Sequence, residues 1–418
     1  MITAGEALTR TLRVRGVDAL YGTRRPGIEV VEVDAAVAPI VVAAHRRVHG
    51  QPAAFLDGDW LRLGDGPEVL IDDPGAMEAV MEAGSVRLDV DLLAPTADVV
   101  PAALPPVDRW LDPDPAVIAA VVSARAPAAL IGPGVVDQRA VPGLHALATA
   151  LSIGVLNTWG AKGVFDWRSR HHFATVGLQA RDFDLGGLGA ADLLLTSGLD
   201  LLEAPGDLWR LAPSVDVAPT ALGPLAQRVS RPWVELGVPP LRTGLAAVTQ
   251  AGWAHPAAPL APTRMTMHYG QVFGAGGLVA ADPGTAGYWV ARTFSTTELG
   301  SAIVPSDRGA GGFALACALV ARLRRPARAV LAVTDQVDAA DEVDAAGRLL
   351  DAAGRLGVAI PVEVWEPGGP ALDADAHLAR LRRMAVAERS LVERIGTDPT
   401  QLERMIGVAG PVIAWGGL

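Results

Sequence analysis

Three short clusters in the last third of the chain have the residue types and order of a site for an anion and its metal. Gly309, Gly311 and Gly312 lie in the run GAGGF ahead of an apolar helical stretch. Without Cβ atoms, their amides can approach an anion closely. Asp282-Pro283-Gly284 follows the apolar run Leu278–Ala281, Asp335 follows Ala329–Val333, and Glu366 follows Val358–Trp365. Successive strands of a parallel sheet end on one rim, so Asp335 and Glu366 are candidate ligands for one cation, with Gln336 beside the first. The competing reading is a pair of solvated loop acids.

Such a rim needs alternating strands and helices to build it. The pattern supplies them: a helix over 5–15, a strand Ile28–Val33, a helix Ala35–Val48 closed by Gly50, and a strand Ala53–Leu56. A turn-rich polar patch Asp57–Gly66, a helix Gly75–Ala83 and a strand Val86–Leu92 follow. Later come the strands Ala128–Ile131, Gly154–Asn157 and Asp192–Ser197. Alternation of this kind predicts an α/β protein of parallel sheets. Five prolines between Pro101 and Pro115 mark one linker, and Pro256, Pro259 and Pro262 mark a second. Three α/β domains are therefore expected, over 1–105, 112–253 and 264–418.

Composition narrows the partners. At 418 residues and 50% hydrophobic content the chain can fill several cores. A net charge of −11 opposes nucleic acid and anionic membranes, leaving a small molecule or another protein. Cys317, the single cysteine, lies in an apolar helical run, where a buried neutral thiol suits a reducing cytoplasm. No basic-then-apolar leader opens the sequence, and Pro142, Gly143, Gly154 and Asn157 break the one uncharged stretch long enough to suggest a membrane span. Lys162 is the sole lysine among many arginines, a bias that GC-rich codons explain.

Other motifs are weaker. Gly132-Pro133-Gly134 follows a strand and precedes a helix, as a nucleotide-binding turn does, but lacks the spaced glycines of a dinucleotide fingerprint. A tight structural turn is the simpler account. His171-His172 has no third ligand at metal spacing and is read as a packed or solvated pair on a loop. There is no Gly-x-Ser-x-Gly elbow.

Taken in order, several segments resemble the thiamine diphosphate-dependent enzymes of the acetolactate synthase, benzoylformate decarboxylase and pyruvate decarboxylase group. They are GEALTRTLRVRGVDALYG (5–22), AHRRVHGQP (44–52), AALIGPGV (128–135), NTWGAKG (157–163), AADLLLTSG (190–198), DPGTAGYWVAR (282–292) and GAGGFALA (309–316). The resemblance covers nearly the whole chain. It implies a shortened pyrimidine-binding domain, a central Rossmann-like domain and a diphosphate-binding domain. Thiamine diphosphate and Mg²⁺ are then held by Asp282, Gly284, Gly309, Gly311, Gly312, Gln336, Asp335 and Glu366. Sites between two subunits imply a homodimer or homotetramer, and some relatives hold FAD or ADP in the central domain.

The departures fall on the chemistry. The family's ring-protonating glutamate aligns with Ala35, which cannot transfer a proton. Asp34 beside it is the only substitute, and it also reads as an ordinary helix-start aspartate. The Gly-Asp-Gly of the metal motif is Thr334-Asp335-Gln336, and the later asparagine gives way to Trp365-Glu366-Pro367. The Ser-Gly-Pro-Gly segment that lines the cofactor ring has no counterpart. Joint loss points to a catalytically impaired or non-catalytic homologue, a pseudoenzyme serving as a binding or partner subunit. The alternative is an active thiamine diphosphate- and Mg²⁺-dependent 2-oxo acid decarboxylase or carboligase.

Overall fold

A computed structural model describes residues 1–97, 110–309, 311–335 and 345–418. The C-terminal sheet has five parallel strands in the order Ala302–Ile303, Leu278–Ala281, Val330–Thr334, Pro361–Trp365, Leu391–Ile395. Three of them, Leu278–Ala281, Val330–Thr334 and Pro361–Trp365, are buried at every position. Cover on both faces is why these strands read as continuous apolar runs instead of alternating ones. The first strand in sequence lies between the second and the third, so the chain leaves it in opposite directions. That switch opens a crevice beyond the carboxyl ends of Leu278–Ala281 and Val330–Thr334.

The central sheet is also parallel and five-stranded, in the order His172–Val176, Val155–Thr158, Pro127–Ile131, Leu193–Ser197, Ser214–Asp216. His172 opens the edge strand here, correcting the loop expected for His171-His172. The Gly132-Pro133-Gly134 turn serves packing: a Cβ on Gly132 would stand 2.2 Å from the Gly198 carbonyl oxygen. Gly134 donates its N–H to that same oxygen at 2.9 Å.

The N-terminal sheet corrects the expectation of three parallel sheets. Its order is Val31–Glu32, Ala19–Gly22, Ala53–Asp57, Trp60–Arg62, Ser85–Leu88, Glu68–Ile71, and Trp60–Arg62 runs antiparallel to both neighbours. This strand lies inside the expected turn-rich patch Asp57–Gly66. It joins Ala53–Asp57 through the turn at Gly58-Asp59, and only Leu61 of its three residues is buried. So short a strand leaves no readable period.

The chain divides into two compact units. The first contains the N-terminal sheet with most of the helix Phe313–Arg324 and the helix Ala345–Arg355. There, His49 Nε2 meets the Val320 carbonyl oxygen at 3.0 Å, and Arg324 pairs with Asp18. The second contains both parallel sheets. It is pinned by Asp182, which accepts two bonds from Arg292 at 2.7 and 2.8 Å and two more from Leu178 N and Gln179 N. Both side chains are fully buried. Removing one partner of such a pair strands the other charge in the core, at about 3–5 kcal/mol. Asp182→Ala is therefore expected to lower the urea-unfolding free energy by about that amount, whereas a loss under about 1 kcal/mol would show that the pair is not structural.

Candidate functional site

A cavity of about 650 Å³ opens at the carboxyl edge of the C-terminal sheet, at its switch point. Gly284, Thr285, Asp335, Trp365, Glu366 and Trp415 are among its lining residues. Four of the predicted residues (Asp282, Gly284, Asp335 and Glu366) thus come to one rim, three of them in the cavity wall, because the strands before them are parallel neighbours.

Two carboxylates at this rim take the start of a helix each. Asp335 Oδ2 accepts from Thr285 N at 2.6 Å and from Ala286 N at 3.4 Å, where the helix Thr285–Thr293 begins. Its cap, Gly284, has φ of 123°, and a Cβ there would lie 2.8 Å from both Asp335 oxygens. Asp282 Oδ1 accepts from Ala314 N at 2.8 Å and Oδ2 from Gly312 N at 3.3 Å. That is the start of the helix Phe313–Arg324. The amides and positive dipole end of a helix N-terminus are the groups an external phosphate would use. Here side chains of the chain itself hold them.

Burial pushes Asp282 up to about 6, against the lowering effect of its amide bonds. Asp335 is also raised, with burial again the chief cause. Its Oδ1 is buried and has no hydrogen-bond partner among the described residues. Glu366 points part of its charge elsewhere, pairing with Arg394 at 3.3 Å. Among the described residues no group of three or more His, Cys, Asp or Glu converges on a metal position. Gly309 donates its N–H to Asp307, Gly311 is half-buried, and Gln336 lies outside the described residues.

Asp34 belongs to the other compact unit. It accepts from Ala36 N at 2.9 Å and pairs with Arg348. The amide bond foremost, and Arg348 with it, hold its carboxyl below the usual range. Asp34 thus braces the turn ahead of the helix Ala38–His49, whose cap is Val37, and an acid held ionised has no proton to give. Ala35, beside it, is half-buried in the turn before the helix Ala38–His49.

The sequence reading missed a buried chain of hydrogen bonds behind Trp365. Arg264 Nε donates to His268 Nε2 at 2.9 Å, so His268 carries its proton on Nδ1, 2.9 Å from His377 Nδ1. His377 is then the acceptor at Nδ1 and donates from Nε2 to Glu363 Oε2 at 2.9 Å. Tyr269 donates to the other Glu363 oxygen, and Trp365 Nε1 donates to the Tyr269 hydroxyl at 2.9 Å. Burial works to raise Glu363, but His377 and Tyr269 hold it low. His268 is pushed down to about 3, chiefly by burial, with His377 and Arg264 beside it adding to the effect. The chain fixes the indole in the cavity wall. Its one sequence signal is Glu363 in the middle of the apolar strand Pro361–Trp365, since an acid there must find partners.

Comparison with known proteins follows the same lines. Residues 115–223 match the central domain of thiamine pyrophosphate enzymes. Over this segment the chain is similar to that family's central domain. Across the whole chain, the fold is similar to the X-ray structure of a "putative thiamin diphosphate-dependent enzyme isolated from Mycobacterium smegmatis". The TM-score is 0.69 at 15% identity, covering 95% of this chain and 99% of that one. No curated protein matches the chain by sequence. Within this segment, the Gly160 N–H is held by the Glu203 carboxylate at 2.9 Å.

Asp282 makes a sign-specific prediction. Its folded value of about 6 exceeds the ordinary 3.8, so the unfolded chain releases the proton first. Its contribution to stability is therefore present below about pH 4, is lost as pH rises to about 6, and stays lost above that. Asp282→Asn should flatten urea-unfolding free energy across this window by on the order of 3 kcal/mol relative to the parent. Parallel pH profiles for the two proteins would refute the assignment.

Proposed function

We propose that this chain carries the thiamine diphosphate enzyme fold as a binding or partner subunit that does not run the family's decarboxylation or carboligation. The observation that carries the reading is the occupation of both helix starts by Asp335 and Asp282. A diphosphate would have to displace the buried Asp282 and half-buried Asp335 carboxylates from the amides it needs, and would face their charge. On the pyrimidine side Asp34 is tied to Arg348 and Ala36. These residues do not fit the diphosphate, and no catalytic step is derived through the coenzyme.

One observation favours the second reading, a thiamine diphosphate- and Mg²⁺-dependent enzyme on 2-oxo acids. Asp335 Oδ1, buried and without a hydrogen-bond partner among the described residues, has a lone pair suited to a cation. A single such oxygen, with Glu366 engaged by Arg394, makes a sparse donor set for Mg²⁺.

Calorimetric titration with thiamine diphosphate and Mg²⁺ separates the two. No micromolar binding, and no turnover of pyruvate or benzoylformate, is expected. Micromolar binding that disappears in Asp335→Ala would overturn the first reading and establish the second.

A cytoplasmic homodimer or homotetramer is part of the proposal. Cys317 is buried, and no described helix is long and apolar enough to cross a membrane. Light scattering should return at least twice the 43.2 kDa chain mass. A monomer at micromolar concentration would remove the self-association.

A further inference from the structure

A second cavity, of about 190 Å³, lies within the unit of the two parallel sheets. It is bounded by the edge strand His172–Val176, the helix Pro240–Trp253 and the end of the helix Thr285–Thr293. Its lining includes no Asp or Glu, but it does include Lys162, Arg242, Arg292 and His172.

The charges of two of these are not balanced. Arg292 is neutralised by Asp182. Arg242 spends its N–H groups on neutral carbonyls, His172 O at 2.6 Å and Trp167 O at 2.9 Å. Lys162 is 8% exposed, the Arg292 charge repels its ammonium, and among the described residues no carboxylate pairs with it. Burial brings it down to about 7. His172 Nδ1 is buried without a hydrogen-bond partner among the described residues, and burial with the Lys162 and Arg242 charges pushes the ring down to about 3 against the opposing charge of Asp166.

Burying an ammonium without a counter-ion costs several kcal/mol. A chain of net charge −11 has carboxylates to spare, yet none lines this cavity, and Asp166, whose charge reaches His172, is held by Arg168. The position is also the one in the chain where a lysine stands instead of an arginine. Its compact head leaves space in the cavity that a guanidinium would fill. The rest of the wall is largely apolar and aromatic, including Phe173, Leu245, Trp253 and Phe294. The volume is below the roughly 300 Å³ at which drug-sized pockets begin, so a nucleotide or coenzyme is too large.

We propose that this cavity binds a small organic monocarboxylate with a flat apolar body, its carboxylate between Lys162 and Arg242 and its body against the aromatic wall. The site is separate from the rim cavity and does not depend on the reading of that cavity.

Lys162 being the only lysine, ¹³Cε-lysine labelling gives a single resonance that reports its ammonium directly. The probe is benzoate, with benzamide as its neutral isostere and inorganic phosphate as an anion without an apolar body. In the free protein the resonance should titrate near neutrality. Saturating benzoate should raise that midpoint by at least one pH unit, while benzamide and phosphate leave it in place. Arg242→Gln should weaken benzoate at least tenfold with an unchanged circular dichroism spectrum. Lys162→Met, which removes a buried uncompensated charge, should fold at least as stably and lose benzoate binding. A midpoint unmoved by benzoate, equal binding of benzamide, tighter binding of phosphate, or full affinity in Arg242→Gln would each overturn the proposal.

Discussion

Two carboxylates at the carboxyl edge of one parallel sheet, Asp282 buried and Asp335 half-buried, must find hydrogen-bond donors, and much of the C-terminal structure follows from where they find them. Asp282 and Asp335 end adjacent strands at the switch point, where the nearest unsatisfied donors are the first amides of two helices. Accepting those bonds offsets part of the cost of burying each charge and anchors each helix to the sheet. It also removes from the crevice the donors that this architecture ordinarily presents to an anion. Under the function proposed above, stability and a weak hold on phosphate are two results of one arrangement.

The same economy of charge recurs deeper in that unit. Asp182 is met by Arg292 and two amides, and Glu363 by His377 and Tyr269, each fully enclosed. Such clusters contribute less to net stability than their many bonds suggest, because desolvation offsets most of the attraction. Their effect is to define geometry. The Glu363 chain sets the plane of Trp365 in the rim cavity, and the Asp182 pair joins the loop after one central strand to the helix after Leu278–Ala281. Lys162 stands against this pattern. It is buried, though less completely than the others, and no carboxylate among the described residues pairs with it, which is why an external anion is proposed as its partner.

Where the sequence was readable, the reason was local. Leu278–Ala281 appears in the structure with the bounds its apolar run suggests, and Val330–Thr334 and Pro361–Trp365 differ only at their ends. These strands are covered on both faces, so composition alone marks them. The Asp-Pro-Gly turn and the acids after each strand could be placed on one rim by the same logic. Trp60–Arg62 and His172–Val176 escaped because an edge or hairpin strand is defined by its neighbours' hydrogen bonds more than by its own pattern. The Glu363 network escaped for a different reason: its members come from two helices and a strand far apart in the chain.

By itself, then, the amino-acid order determined the class of fold and the sheet edge on which the chemistry-bearing residues gather. Helix and strand periodicity, glycine turns and strand-end acids are short-range properties, and they survive in one dimension. Only the folded chain decided what those acids do: that Asp335 and Asp282 bind amides of their own protein, that Asp34 is pinned by an arginine far away in sequence, and that Lys162 lacks a counter-ion among the described residues. A side chain's charge, reach and partner depend on which distant atoms packing brings within about 3 Å, and sequence spacing carries no record of that distance.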